Sequence, residues 1–347
     1  MTAIAEPDAA APARRPRTGR RLVALGVALA VLALAVVASI CVGSALLPLG
    51  TVWRAFTEPD GSTAQITVTE ARVNRTVLGL VVGAALGTAG ALIQALTRNP
   101  LADPGILGVN AGAAFAVVLG VAFFGVTSTA QYLPFALAGA VAASVLVYAI
   151  ASGGTGAPSP ARLTLVGIAL GAVLIGISQT LALIDVETFD RMRFWMVGSI
   201  TDRPSDAAAV IAPLVGIGLL LTVFVARPLN ALALGEDLAR TVGARIGPTR
   251  IVVFLAVTLL CGAATAAAGP ISFVGLMVPH AVRWITGPDW RWILVFTVVL
   301  APVLVLVSDV IGRVVVLPGE LQVGIITALI GAPVLVVLVR RRRAAGL

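Results

Sequence analysis

Apolar residues in this chain gather in long runs that few charged residues interrupt. The first run, residues 22–47, carries no charged side chain. As a helix with a rise of 1.5 Å per residue it would be about 39 Å long, enough to cross the roughly 30 Å hydrocarbon core of a bilayer. Nine comparable runs follow, so the pattern predicts an all-α polytopic membrane protein with about ten transmembrane helices. The predicted spans are residues 22–47, 76–96, 106–125, 133–151, 163–184, 207–226, 250–268, 270–285, 292–311 and 322–339.

The chain ends set the domain borders. Residues 1–21 are rich in Ala, Pro and Arg and predict a disordered basic cytoplasmic tail. Residues 22–343 then form the transmembrane domain, and residues 344–347 form a short C-terminal tail. A cleaved signal peptide is the alternative for the first run, but its apolar region would be only about 7 to 15 residues long. A first transmembrane span therefore fits the run better.

Composition narrows the class of protein further. The chain is 59% hydrophobic and 12% charged, with a mean hydropathy of +1.04, which is typical of a membrane protein. Its 24 basic residues are all arginine. A P-loop is excluded because GxxxxGK[ST] requires a lysine, so no cofactor is expected in this chain, and any ATP and Mg would be bound by a partner.

Charge asymmetry predicts the orientation. With the N-terminus in the cytoplasm, most arginines of the short loops face inward, as the positive-inside rule expects. The net charge of +8 is explained in this way, without nucleic-acid binding. Both termini are then cytoplasmic. The inward arginines are Arg98, Arg162, Arg227, Arg240, Arg245, Arg250, Arg283, Arg291 and Arg340 to Arg343, and the outward ones are Arg54, Arg72, Arg75, Arg191, Arg193, Arg203 and Arg313.

The arginines at the outer mouth of the second span have two interpretations. Arg72 and Arg75 could reach lipid headgroups or pair with Glu70 and Asp309, which would be a structural role. Alternatively, together with Arg313, they form a basic patch that receives an acidic partner from outside. The residues themselves do not decide between these roles.

The loop after the second span predicts a tight hairpin. Pro100 and Pro104 prevent a continuous helix in LTRNPLADPGILG. Asn99 and Asp103 are residues whose side chains bond nearby backbone in turns. This motif is therefore assigned a structural role.

The longest inward loop, residues 227–249, is amphipathic and predicts a cytoplasmic docking element. Its apolar positions are interrupted by Gly235, and two short helices joined there and ended by Gly243 would fit the pattern. An interfacial helix lying on lipid is the alternative. Balanced charges favour docking of a soluble partner, since a lipid-binding helix is usually more basic.

The sequence AGPISFVGLMVPH predicts a second structural motif. Gly269 and Pro270 divide the run from 250 to 285 into two spans, because proline cannot continue a helix and glycine favours a turn. His280, the single histidine, follows Pro279 and has no second ligand at metal spacing. A hydrogen-bonding role is expected for it, and no metal site is predicted.

The sequence disfavours two functional classes of membrane protein. An ion-coupled secondary transporter of a small solute would require an acidic residue deep in a span. The relevant acids fall near the predicted span ends: they are Asp185, Glu187, Asp190 and Asp309. A membrane enzyme would require a catalytic set such as HExxH or Ser/His/Asp, which a chain with one histidine does not offer.

Four segments together resemble the FecCD family of permeases. They are RVNRTVLGLVVGAALGTAGALIQALTRNPLADPGILGVNAGA, LNALALGEDLARTVG, AGPISFVGLMVPHAVRWITGPD and ELQVGIITALIGAPV. The family comprises permease subunits of bacterial ABC importers for iron–siderophore complexes, haem and cobalamin. The resemblance covers about residues 70 to 343 and implies a type II ABC importer permease fold in the bacterial cytoplasmic membrane.

The resemblance also implies partners and sites. Family members pair with a second permease, identical or related, and with a cytoplasmic ATPase dimer, while an extracytoplasmic substrate-binding protein delivers the cargo. Iron–siderophore complex is the expected cargo, with haem or cobalamin as alternatives. Carried over by position, Arg72, Arg75 and Arg313 would dock the binding protein, Leu234, Gly235, Glu236, Asp237, Arg240 and Gly243 would contact the ATPase, and Ser178, Gln179 and Thr327 would line the path.

Overall fold

The fold is built from helices only in the part of the chain that the structure describes. This computed structural model describes residues 18–344 except 44–46, 59, 154–159, 185–189, 191 and 194. Besides the α-helices, the chain forms a π-helical segment, Thr67–Arg72, and a 3-10 turn, Pro104–Leu107. The helices are α1 (Thr18–Cys41), α2 (Leu49–Thr57), α3 (Thr63–Ile66), α4 (Val73–Thr97), α5 (Val109–Phe124), α6 (Thr129–Ser152), α7 (Pro160–Ile184), α8 (Ala207–Leu232), α9 (Glu236–Thr241), α10 (Ile246–Ala268), α11 (Val274–Thr286), α12 (Trp290–Val315) and α13 (Val323–Ala344).

Ten of these helical segments coincide with the ten predicted spans. Within the described ranges, seven are long and apolar enough to cross a bilayer by length and composition, namely α1, Thr63–Thr97, α6, Arg162–Leu181 of α7, α8, α10 and α12. Val109–Phe124 and Val323–Val337 are shorter apolar helices, and α11 has 13 residues. The predicted all-helical, multi-pass fold is confirmed, with ten as an approximate number of spans.

Helix α4 lies at the centre of the bundle and is buried along most of its length. Small residues allow this, since helices in a membrane associate by close packing and not by a hydrophobic driving force. A Cβ atom on Gly83 would lie 2.6 Å from Pro302 Cα, and one on Gly87 would lie 2.3 Å from Ala301 Cβ. Helix α12 therefore rests directly on the glycine face of α4.

The turn residues of the two structural motifs take the expected form, and the hydrogen-bonding role of His280 stays a prediction. Asn99 Oδ1 accepts a hydrogen bond from Leu101 N at 3.0 Å, and Asp103 Oδ1 accepts one from Gly105 N at 2.8 Å. Helix α10 ends at Ala268, before Gly269, whose φ of 73° lies in the left-handed region. The turn between the seventh and eighth spans is confirmed.

The chain's two cysteines do not form a disulfide with each other. Cys41 and Cys261 are free thiols, and Cys261 is buried in the core.

The amphipathic loop is shorter than the sequence predicts. Instead of forming a separate short helix, residues from 227 onward extend α8 to Leu232. Leu229 and Leu232 are buried in the main core, and their packing holds the helix together beyond Pro228. One short helix, α9, follows Gly235, so residues 233–245 alone connect α8 with α10.

Candidate functional site

A cluster of paired charges lies where α4 and α12 meet. Asp309 is fully buried on α12. Its Oδ1 atom accepts hydrogen bonds from Arg75 Nε at 2.9 Å and Arg75 Nη2 at 2.5 Å. Its Oδ2 atom accepts from Arg313 Nε at 3.0 Å, and Arg75 also binds Glu320 at 2.7 Å. One carboxylate thus joins two helices and, through Arg75, the loop before α13.

Two arginines of this region also bind the end of α1. Arg313 Nη1 donates to the carbonyl oxygens of Ser39 at 2.6 Å and Val42 at 2.8 Å. Arg72 Nη1 donates to those of Ile40 at 3.1 Å and Cys41 at 2.8 Å. The last carbonyls of a helix lack intrahelical partners, so the two guanidinium groups cap α1 and fix it to the bundle.

The predicted docking residues are brought together, but they are not equally accessible. Arg72 is 5% exposed and Arg313 is 1% exposed, while the Arg75 side chain is 11% exposed. Arg75 pairs with Asp309, as the structural interpretation expects, but its second acidic partner is Glu320 and not Glu70. Docking of an external protein stays a prediction. The guanidinium groups of Arg72 and Arg313 are bound to carbonyl oxygens at the end of α1, so less of their surface is left for a partner than a free arginine offers.

A polar cleft of about 930 Å³ opens beside this cluster. Arg203, which the sequence placed on the same side without a role, is one of its walls and donates to Ser199 O at 2.9 Å. Burial lowers the pKa of Arg203 to about 10, and nearby Tyr132 and Asp202 oppose that shift, so the group stays cationic at neutral pH. We call this the arginine cleft, and its charged lining is Glu70, Arg72, Arg75, Asp202, Arg203, Arg313 and Glu320.

Asp309 lies deeper in its helix than the sequence predicts, which bears on the class of ion-coupled transporters. It lies inside α12, six residues before Val315, and not at the end of a span. Asp190 is exposed, whereas Asp185 and Glu187 lie outside the described residues. Asp309 pairs with both Arg75 and Arg313, so in this structure it is the counter-ion of two arginines.

A second and larger cleft, of about 1110 Å³, runs along α7 and α13. Ser178 and Gln179 both line it. Thr327 does not, because it is fully buried and its hydroxyl donates to Gly324 O at 3.1 Å. We call this the apolar cleft, and its lining includes Asp103, Asn110, Gly171, Ser178, Gln179, Phe273, Gly324 and Ala328.

Two lining residues of the apolar cleft were not found from the sequence. Phe273 has a φ of 69° and precedes α11, and a Cβ on Gly331 would lie 2.3 Å from its ring. Asp103 had been assigned only a turn role. Burial raises the pKa of Asp103 to about 6, against the opposing hydrogen bond from Gly105 N, so the charge at this edge of the cleft changes with pH near neutrality.

The segment around α9 presents an exposed apolar surface. Leu234, Leu238 and Val242 are 64%, 58% and 66% exposed. Gly235 has a φ of 108° and begins the helix, and Gly243 has a φ of 81° after it; both conformations favour glycine. We call this the α9 surface, and none of the residues that the structure describes covers it.

Charged residues hold α9 in place. Glu236 pairs with Arg250 at the start of α10, and Arg240 lies 3.9 Å from both Glu236 and Asp237. Arg240 and Asp237 are largely exposed, so these two contacts are weak. The Glu236–Arg250 pair is less exposed than these two, and the buried Ala239 packs α9 against the main core.

The histidine motif lies inside α11. Pro279 is buried, and the His280 ring packs edge-on against Trp284 with 5.4 Å between centroids. Among the described residues, no group of three or more His, Cys, Asp and Glu side chains is placed to hold a metal ion.

A multi-pass helical bundle with a large cleft along two of its helices is the architecture of a membrane transport permease. The model of the FecCD transport family matches residues 31–341, and the chain belongs to that family. This assignment favours the permease over both rival classes.

Similar proteins agree with the assignment. The ferric enterobactin transport system permease protein FepD of Escherichia coli (strain K12) is 47% identical over 326 residues, covering 94% of this chain and 97% of that protein. A siderophore transport system permease protein, YfiZ of Bacillus subtilis (strain 168), is 38% identical over 296 residues, covering 84% and 89%.

The fold is also shared with solved structures. A metal-chelate type ABC transporter in an inward-facing conformation has a TM-score of 0.77 and 26% identity, covering 92% of this chain and 99% of that one. PsaBC from Streptococcus pneumoniae, at a TM-score of 0.60 and 16% identity, shares the fold.

Proposed function

We propose that this chain is the membrane-spanning subunit of an ATP-driven importer that carries a ferric siderophore complex into the cytoplasm. FepD and YfiZ, whose matches cover 94% and 84% of this chain, are named for enterobactin and siderophore transport, and this supports a siderophore cargo over haem or cobalamin. The chain would lie in the bacterial cytoplasmic membrane with both termini inside, an orientation that the distribution of its arginines favours.

The observation that carries this proposal is the apolar cleft. It is open on one side of the bundle, where Ile168, Val173 and Ile175 of α7 are exposed. A second permease subunit, identical or related, would cover these residues and complete the path. Gln179 gives the wall a polar group, and the remaining surface is largely apolar, which suits passage of a bulky chelate.

The two other surfaces suit two further partners. The α9 surface would bind a cytoplasmic ATPase, which holds the ATP and Mg, and its motion would be transmitted through Gly235 and the Glu236–Arg250 pair. The arginine cleft would receive an extracytoplasmic substrate-binding protein. Arg75 and Arg203 are the cations best placed for it, while Arg72 and Arg313 support the cleft from beneath.

Filling the apolar cleft is expected to abolish transport. Gly171 lines the cleft, and an added Cβ there would meet only the Cβ of Ala111, at 3.7 Å. Gly171→Trp therefore directs a large ring from a position with room for the first side-chain atom, and it is expected to obstruct the path. The measurement is uptake of radiolabelled ferric siderophore, haem and cobalamin in cells that lack this chain and carry the variant.

Gly216→Trp is the matched control. Gly216 lies on α8, lines none of the clefts described above, and has no atom within 4 Å of an added Cβ. It should support normal uptake of the ferric siderophore. Normal uptake with Gly171→Trp would contradict the assignment of the path, and no dependence of any cargo on the chain would contradict the proposed function.

Placing a charge on the α9 surface is expected to release the ATPase. Leu238→Asp removes an apolar anchor from a surface that is exposed in the isolated chain, so folding should be unaffected. If Leu238 is a central anchor of the interface, its loss should cost about 2 kcal/mol, or roughly 30-fold in affinity. Co-purification of the ATPase with the permease measures this effect.

Thr241→Asp, on the same helix and already polar and exposed, is the control and should retain the ATPase. Equal recovery of the ATPase with Leu238→Asp and with the unmodified chain would refute docking at α9.

A further inference from the structure

A groove runs between α8 and α12 on the outside of the bundle, away from both clefts. Its volume is about 450 Å³. Thr222 and Ala226 form part of its buried floor, and Val223 and Val295 are exposed along its walls. Two arginines stand at one end. The lining is Leu219, Thr222, Val223, Ala226, Arg227, Arg291, Leu294, Val295 and Val298.

The position of the arginines matches the headgroup level of a membrane. Arg227 follows Ala207, the first residue of α8, by a helical distance of about 30 Å, which equals the hydrocarbon thickness of a bilayer. Arg291 is the second residue of the antiparallel α12. The two guanidinium groups therefore lie at one membrane border, and the apolar part of the groove extends from them into the hydrocarbon layer.

Hydrogen bonds fix the two helix ends to each other beside the arginines. Asn230 Nδ2 donates to Asp289 Oδ1 at 2.8 Å, and Asn230 Oδ1 accepts from Trp290 N at 2.8 Å. Asn230 is one turn beyond Arg227, and Trp290 adjoins Arg291. The spacing of the arginines is thus set by the frame of the bundle.

Acids in the described part of the chain do not form ion pairs with these two arginines. None of the ion pairs recorded for the described residues involves Arg227 or Arg291. The nearby Asp289 carboxylate is already engaged by Asn230, by the backbone N of Arg291, and by Arg21 at 3.8 Å. The end of the groove is consequently cationic.

We propose that this groove binds an acidic phospholipid, with the phosphate held between Arg227 and Arg291 and one acyl chain lying along Leu219, Val223 and Val298. The amphipathic form of the site, a cationic end on an apolar groove at membrane depth, matches both parts of such a lipid. The bound lipid bridges α8 and α12 next to the segment that leads into α9. This binding site is separate from the transport path.

Native mass spectrometry of the full chain, loaded with phosphatidylglycerol or phosphatidylcholine, tests the proposal. The unmodified chain should retain one phosphatidylglycerol in preference to phosphatidylcholine. Arg227→Gln/Arg291→Gln should weaken that retention about 30-fold, as expected for two cations beside an acidic headgroup. Arg245→Gln/Arg340→Gln removes the same charge from exposed positions at the same end and should leave retention unchanged.

A second pair of variants tests the groove itself with all charges kept. Val223→Trp fills the groove and should displace the lipid, whereas Phe224→Trp, next to it and outside the lining, should not. The proposal would be overturned if the unmodified chain retained the two lipids equally. It would also be overturned if both double arginine variants lost phosphatidylglycerol to the same extent, or if Val223→Trp retained it fully. Displacement of the lipid by inorganic phosphate alone would identify an anion site and overturn it as well.

Discussion

Replacing Asp309 with alanine is expected to destabilise the protein by about 3 to 5 kcal/mol, the usual cost of removing one partner from a buried ion pair. The Asp309 side chain is fully buried, and it neutralises Arg75 and Arg313 together. Without it, Arg313 remains buried at 1% exposure with only the Ser39 and Val42 carbonyl oxygens and the Ser39 hydroxyl as partners. Arg75 keeps Glu320, so the larger effect should fall on α1 and α12.

Thermal unfolding of the full chain in detergent measures this loss. Asp309→Asn should be nearly as damaging, because it keeps the shape but not the charge. Asp237→Ala, which removes an exposed carboxylate 3.9 Å from Arg240, is the control and should unfold as the unmodified chain does. Equal stability of the Asp309 and Asp237 variants would show that the ion pairs of Asp309 with Arg75 and Arg313 do not stabilise the fold.

The spans could be predicted from the sequence because a bilayer imposes one simple requirement on them. A helix that crosses hydrocarbon must be apolar over about 20 residues, and each such run is visible without knowledge of its neighbours. The segment from Thr67 to Arg72 lies outside this requirement, and its π-helical form was not anticipated. The same holds for α2, an amphipathic helix of nine residues.

The arginines show where sequence reasoning stops. Their common side follows from counting spans, and the structure brings Arg72, Arg75 and Arg313 together as expected. Their burial depends on residues far away in the chain, since the carbonyl oxygens that bind Arg313 belong to residues about 270 positions earlier. A local pattern is unable to distinguish a cation that caps another helix from one that faces a partner.

The amphipathic loop illustrates a conflict between local and tertiary signals. Pro228 weakens the helix at this point, because proline lacks an N–H group. Burial of Leu229 and Leu232 outweighs that cost and carries α8 one turn further. The exposed apolar positions of the α9 surface, in contrast, could be predicted from the spacing of apolar residues within the loop itself.

Replacing Gly90 with alanine is expected to cost about 3 kcal/mol, at the upper end of the range for overpacking a tight interior. An added Cβ would lie 2.0 Å from Gly275 O and 2.3 Å from Gly275 Cα. Both contacts are with backbone, so no side chain can rotate away, and α11 must move as a whole. That movement also breaks the hydrogen bonds that Gln94 Nε2 donates to Gly275 O and Leu276 O, each 3.1 Å long.

The matched control is Gly216→Ala, a glycine of α8 with nothing within 4 Å of an added Cβ. Alanine is favoured over glycine inside a helix by up to about 1 kcal/mol, so this variant should be as stable as the unmodified chain or slightly more so. Thermal unfolding of both variants in the same detergent gives the comparison. Since they make the same chemical change, equal unfolding temperatures would mean that α4 and α11 are not in direct backbone contact. A lower temperature for Gly90→Ala alone would place that contact among the main supports of the bundle.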